Sequence, residues 1–289
     1  VKISDSLLAM PKRASLKGPG RCIFCGQTGL SKEHIWSAWT YALVPTIKDG
    51  HHTRGVVQSA KDDPKKIYIE SLRNHNGSTN TVKLHVVCKR DCNNGWMSRL
   101  DERAKPILSP LIMGQPAVLS VESQTVVAAW AAMKMMVSEF SRRIDVSTAQ
   151  DERTFLMKEL RPPPNWKIWI AHTQSEKWRS AYYRNSSMVG RLNEAGVPVA
   201  HEGSLRKNTQ SISIGIGQLF ISAISSNVPG VEFHAPADAK RHIRQIWPAA
   251  VGGCFWPPGT IFTTSAADAF AESFSHFMKT LNWTPAAKS

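Results

Sequence analysis

The stretches RCIFCGQTGLSKEHIW, residues 21–36, and VVCKRDCNNGWM, residues 86–97, hold four of the five cysteines of this 289-residue chain. Zinc prefers four thiolate or imidazole ligands in a tetrahedron, and two thiols with a two-residue gap reach one ion at about 2.3 Å from a single turn. Cys22 and Cys25 have that gap, and the three residues between Cys88 and Cys92 lie within the range a knuckle allows. In a reducing compartment close cysteine pairs more often hold metal than form disulfides. The four are therefore read as ligands of one structural Zn2+, with redox pairs or unrelated buried thiols as the other readings of the same spacing. Cys254, in GGCFW, has no partner and reads as a small buried residue. Glu33 and His34 follow the first pair, and Asn93 and Asn94 come directly after the last thiol.

The surrounding patterns place these residues on elements. Val82, Leu84 and Val86 alternate with Lys83, His85 and Val87, the period of a half-buried strand that delivers Cys88. Asn93 to Leu100 reads as the start of a helix that continues to Pro106, and Ile35, Trp36, Trp39 and Leu43 predict a short helical turn after Glu33-His34. Strand, knuckle and helix follow one another as a ββα-metal module requires.

These residues together resemble the HNH endonuclease superfamily, and the segment CNNGWMSRLDE is similar to a phage and bacterial subgroup of it with a large second domain. The resemblance covers about residues 20–115. It implies that His34 is the general base, that Glu33 and Asn93 hold one catalytic Mg2+ or Mn2+ ion, and that the zinc is structural only. The residue types suit those roles. Histidine, with an ordinary pKa of about 6.5, accepts a proton near neutrality, and oxygen ligands suit Mg2+. The chain departs from the pattern twice. The gap in the second cysteine pair is one residue longer, which leaves Asn94 as the alternative to Asn93. Lys83 stands where the family places a middle Asn, with Asn80 and His85 as the nearest substitutes.

Charge points the same way. The chain carries 36 Lys/Arg against 22 Asp/Glu, a formal +14, and residues 1–115 hold 18 against 9 of these. Cationic surface gains free energy on a polyphosphate by releasing condensed counterions, so the expected partner is DNA, with RNA as an alternative. There is no run of about 18 or more apolar residues and no signal-like N-terminus, so a cytoplasmic protein without a membrane partner is expected.

The expected class is α+β: a basic N-terminal arm at 1–20, a zinc-stapled HNH nuclease module at 21–115 with an insertion at about 45–81, and a larger C-terminal α+β domain at 116–289. In that last part Val126, Val127, Trp130, Met133, Val137 and Phe140 predict a buried helix, and a second helix is expected near 148–160. Strands are expected at 166–171, 180–184, 211–222 with a glycine-containing bend, and 243–247, and a last helix at about 266–281. The C-terminal domain is assigned target choice, regulation, or contact with a protein partner or a second copy. The expected activity is metal-dependent hydrolysis of DNA phosphodiesters, in a phage or bacterial defence setting. The alternatives are a zinc-dependent nucleic-acid-binding protein without cleavage and a nuclease subunit active only with a partner. The pair His51-His52 reads as a solvated loop.

Overall fold

Strand β1 (Leu30–His34) pairs antiparallel with a strand some fifty residues further along the chain. The structure, a computed structural model, describes residues 20–44, 51–59, 67–76, 81–189, 207–229, 231–235 and 237–280, without the side chains of 51–74 and 274–280. Of the basic arm expected at 1–20, all but Gly20 lies outside these residues, as does Asn80.

Two strands occupy the expected insertion, β2 (His51–Ser59) and β3 (Ile67–Asn76), and they pair with each other in one antiparallel ladder. The loop reading of His51-His52 is thus corrected. Their backbones open β2 opposite Asn76 and His75, and this backbone pairing makes the strand although the sequence there shows no clean alternation. Then β4 (Lys83–Cys88) pairs with β1, with Leu30 opposite Cys88 and His34 opposite Lys83. A bulge between Ser31 and Lys32 interrupts the register.

After Cys88 the chain coils at once. Lys89–Met97 forms a wide, π-type helical segment broken at Gly95, and α1 (Ser98–Ile112) continues from it. Pro106 does not end this helix, as the sequence had led us to expect; α1 runs through both Pro106 and Pro110. Each proline forfeits the bond to the carbonyl four residues earlier. Those residues, Glu102 and Pro106, lie on the exposed face, while Leu100, Ala104, Leu108, Leu111 and Ile112 bury the other.

Short β5 (Ala117–Leu119) leads into α2 (Val121–Ser138), capped at its start by the Ser120 hydroxyl, which accepts from the Ser123 amide at 3.1 Å. From Val126 to Ser138 every residue of α2 is buried. A helix apolar on all sides is stable only inside a core, and α2 lies against α1, the hairpin β1–β4 and the sheet beyond. Helix α3 (Gln150–Glu159) follows, then β6 (Trp166–His172), β7 (Ser180–Ser187), β8 (Thr209–Ile216), β9 (Leu219–Ser226), β10 (Ile243–Trp247), β11 (Cys254–Trp256) and α4 (Thr264–Thr280).

Five of these strands form an antiparallel sheet in the order β10-β6-β9-β8-β7, and β11 pairs with β5. Both faces of the sheet are covered. On β6, Ile168 and Ile170 join the large core that includes α2, whereas Trp169 and Ala171 join a second cluster with Phe220, Phe262 and the α4 residues Ala267 and Ala271. The stretch expected at 211–222 with a glycine-containing bend is two strands joined at Gly217 and Gln218. Gly217 adopts φ +57°, and a Cβ there would lie 2.5 Å from the Ile112 carbonyl oxygen, so this turn seats directly on the end of α1.

The fold is mixed α+β, as expected. The boundary anticipated at residues 115/116 falls between α1 and β5, and one apolar core is continuous across it, from Cys22 to Trp256. Among the described residues no helix is long and apolar enough to cross a membrane.

Gly215 tests this joint packing. Its carbonyl oxygen accepts from the Trp36 indole at 3.4 Å, and a Cβ on it would lie 1.7 Å from the Trp178 carbonyl oxygen. Gly215→Ala is expected to lower stability by about 1–3 kcal/mol or more, with loss of structure in both halves in one transition on urea denaturation. Two separated transitions would show that the halves fold independently.

Candidate metal centre and active site

The first knuckle is a tight turn, in which Gly26 donates to the Cys22 carbonyl at 3.0 Å and takes φ +75°. Ile23 donates to Val86 at 3.0 Å and Lys89 to Gly29 at 3.0 Å, so the turn lies along the end of β4 where Cys88 emerges. The helical segment after β4 returns Cys92 to the same point. The four sulfurs lie within 4.8 Å of one another, with Cys22 to Cys92 and Cys25 to Cys88 each at 3.5 Å. A disulfide would need about 2.05 Å, and a zinc tetrahedron with bonds of about 2.3 Å places its sulfurs about 3.8 Å apart. Cys22, Cys88 and Cys92 are buried and Cys25 is partly so.

The surroundings act unequally on the thiols. The hydrogen bond between Cys22 and Cys92 pulls the Cys22 thiol far below its usual pKa and pushes that of Cys92 up, since one proton serves both sulfurs. Burial raises Cys25. Trp96, set edge-on against Phe24 at 5.0 Å, has a buried indole N–H with no hydrogen-bond partner, and this N–H favours the ionised form of Cys92. A metal-bound thiolate at Cys92 supplies the acceptor that indole lacks. The four cysteines therefore fit Zn2+, and among the described residues they are the one group of three or more His, Cys, Asp or Glu side chains close enough to share an ion.

The hairpin pinned by this cluster carries the other expected residues. His34 ends β1, half-buried, with Lys83 opposite it and the Tyr41 ring edge-on at 5.9 Å. Asn93 reaches from the helical segment to β1, where its amide nitrogen donates to the Ser31 hydroxyl at 2.9 Å and to the Lys32 carbonyl at 3.2 Å. A carbonyl only accepts, so the orientation of the amide is fixed, and its oxygen is the atom turned from β1 toward any ligand. Asn94 is exposed. His85 is exposed too, and its Nε2 donates to the Leu30 carbonyl at 2.8 Å. The alternation of the hairpin puts Lys32, His34, Lys83 and His85 on one side.

Glu33 points to the other side, into the core. There Oε1 accepts from the ammonium of Lys134 on α2 at 2.6 Å, and Lys134, fully buried, also reaches Asp101 on α1 at 3.4 Å. The second Asp101 oxygen accepts from the Trp130 indole at 2.6 Å and from the Ser37 hydroxyl. Burial pushes the Lys134 pKa down, but Asp101 and Glu33 outweigh it and hold the group above its ordinary value, so it stays charged. Two carboxylates against one ammonium leave negative charge over. A carboxylate and an amide oxygen are the hard donors a Mg2+ or Mn2+ ion takes, but Glu33 is buried against Lys134 on the face of β1 opposite His34, so the structure does not bring the two to one face as the resemblance implied.

Lys134, Asp101, Ser37 and Tyr41 were not singled out as site residues from the sequence. One signal existed for the first: a lone lysine in the apolar run WAAMKMMV needs a buried partner.

Protein prepared without added zinc is expected to hold one zinc per chain. Chelation or Cys88→Ser is expected to lower the melting temperature, because site formation is folding free energy; an unchanged melting temperature in zinc-free protein would contradict the staple. His34 gives a pH test. Burial pushes its pKa down, Lys83 adds to this and Glu33 opposes it, leaving the imidazole below its ordinary value of about 6.5. The unfolded chain therefore binds the extra proton first as pH falls through about 6.5, so stability is full above that value and declines toward the folded midpoint. The His34 ring resonances should titrate with a midpoint below about 6.5, and His34→Gln should lose less stability than wild type over that window. Comparison of the chain with family models, curated proteins and solved structures found no match.

Proposed function

We propose that the chain is an endonuclease of the HNH type that hydrolyses phosphodiester bonds of DNA, with His34 taking the proton of the attacking water. One observation carries this reading: the four-cysteine cluster pins a two-stranded hairpin whose end presents His34, while the following helix sets Asn93 against the same strand. This is a ββ-helix arrangement in which Asn93 meets β1 at Ser31 and Lys32 and His34 ends the same strand. His34 is kept neutral by burial and by Lys83, the state a general base needs at neutral pH. The resemblance implies a Mg2+ or Mn2+ ion held by Glu33 and Asn93, which would neutralise charge on the phosphate and the departing 3′ oxygen once Glu33 is released from Lys134.

The rest is done by this chain's own groups. Lys32 and Lys83 flank His34 on the solvent side of the hairpin, and Lys89 and Arg90 lie exposed just beyond Cys88, a cationic approach for a phosphate backbone. Asn93 ties the helix to β1 and so limits the freedom of His34 relative to a bound phosphate. The products implied are 5′-phosphate and 3′-hydroxyl ends. A second reading, zinc-dependent binding of nucleic acid without cleavage, is favoured by the engagement of Glu33 with Lys134.

Incubating the protein with supercoiled plasmid and Mg2+, Mn2+ or chelator separates the two. Metal-dependent relaxation or linearisation is expected. His34→Ala should slow it by about 10²- to 10⁴-fold while zinc content and DNA affinity stay near wild type. Retention of full cleavage in that variant would remove His34 as the base. DNA binding with no cleavage under any condition would favour the second reading.

A further inference from the structure

Strands β2 and β3 pair with each other and, among the described residues, with no other strand. This ribbon lies in the chain between β1 and β4, the two strands of the hairpin that ends in His34. Its register orders its charges. Arg54 stands directly opposite Arg73, and two positions along His52 stands opposite His75. Directly opposed residues share a face of an antiparallel pair, and the face alternates along each strand, so these four belong to one face. His51 with Asn76 and Thr53 with Asn74 belong to the other. Residues 51–56 and 71–76, the half of the ribbon nearer β1 and β4 in the chain, contain no Asp or Glu, and Glu70 is the one acid on either strand. Like charges set opposite each other weaken a ladder. An anion lying over that face offsets the cost.

We propose that the β2–β3 ribbon seats in the major groove of duplex DNA by the face that carries Arg54 and Arg73, and supplies affinity apart from the His34 end of the hairpin. The inference rests on the reading of DNA as the substrate given above and adds the element that grips it. The major groove of B-DNA, about 12 Å wide, admits a two-stranded ribbon, and arginine suits both the guanine edge and the phosphates that border it. The deep, narrow major groove of duplex RNA does not admit side chains. Chain length agrees with a shared duplex. Asn76 is seven positions before Lys83, which stands opposite His34, a reach of about 25 Å at most. One turn of B-DNA spans about 34 Å.

The test is binding of the whole, zinc-loaded chain to a short mixed-sequence DNA duplex, followed by fluorescence anisotropy over a salt series without added divalent ion. Arg54→Gln combined with Arg73→Gln should bind about tenfold more weakly or worse, and the slope of log affinity against log salt should become shallower by about 2, one for each cation withdrawn from the phosphates. Lys158→Gln combined with Arg161→Gln removes the same charge from exposed positions at and just past the end of α3 and should bind as wild type does. The melting temperature of the ribbon variant should not fall, because the change relieves a like-charge pair. Should that variant not fold, Arg54→Gln alone decides, with a slope shallower by about 1.

Wild-type affinity and slope in the ribbon variant would overturn the proposal and leave these charges the lesser role of keeping the ribbon edges from pairing with other chains. Equal weakening in the α3 variant would sink it too, since the net field and not the ribbon would then carry binding. A duplex RNA of the same sequence, bound as tightly as the DNA and weakened as much by the ribbon variant, would remove the groove assignment. A chain that binds no DNA overturns the proposal together with DNA as the substrate. The expected slope change in a protein that cuts nothing would instead support the ribbon and remove the nuclease reading alone.

Discussion

A charged lysine at the centre of a wholly buried helix constrains this molecule more than any other single group. Taking an ammonium out of water costs several kcal/mol even after relaxation, and the cost is recovered only where oppositely charged groups are already in place with good geometry. Here those groups come from different elements: Glu33 from β1 and Asp101 from α1, with Ser37 and Trp130 completing the shell of Asp101. Lys134 can therefore be buried only if the hairpin, α1 and α2 are assembled together. A buried ion pair of this kind adds little net stability over an apolar replacement. Its effect is to specify one mutual arrangement of three elements and to fix the strand that ends in His34.

The cysteine cluster acts at the opposite end of the same hairpin. It joins the turn before β1 to the end of β4 and the helical segment, pieces that also meet through Ile23, Phe24, Val86, Val87 and Trp96 in the apolar core. The cysteine cluster and the Lys134 network thus flank one short hairpin on both sides. Between them, the Asn93 amide bonds back to β1 and limits its remaining freedom. This division explains how the site residues can sit on so small a sheet: a four-cysteine cluster able to hold zinc lies at one end and a buried charge cluster at the other.

The C-terminal part follows similar rules. Glu139, just past α2, is completely buried and accepts from the amides of Ser147 and Thr148 and from the side chains of Thr148 and Gln210. This anchors the chain after α2 to the sheet strand β8. The sheet meets the N-terminal half through the Trp36 indole on Gly215 and through the turn at Gly217 on α1. The two halves share one core, so a substitution in α2 or β8 is felt at the hairpin.

The cysteine cluster, the strand before Cys88, the buried α2 and most sheet strands were legible in the sequence, because each is a local pattern: thiol spacing, alternation at period two, apolar residues at helical period. The helix through Pro106 was not, since whether a proline breaks a helix depends on what faces the lost carbonyl bond. Strand β2 was not either, because backbone pairing leaves no mark where alternation is weak. For the site, the sequence by itself determined which residue types were present and that Glu33, His34 and Asn93 lay close to the cysteines along the chain. Only the tertiary structure decided that Glu33 turns inward to a lysine a hundred residues away, while His34, its neighbour, faces Tyr41 and Lys83 on the other side. Adjacent residues of a strand point to opposite faces, and which charge waits behind each face is a property of the packed chain, set by the cost of burying Lys134 without a partner.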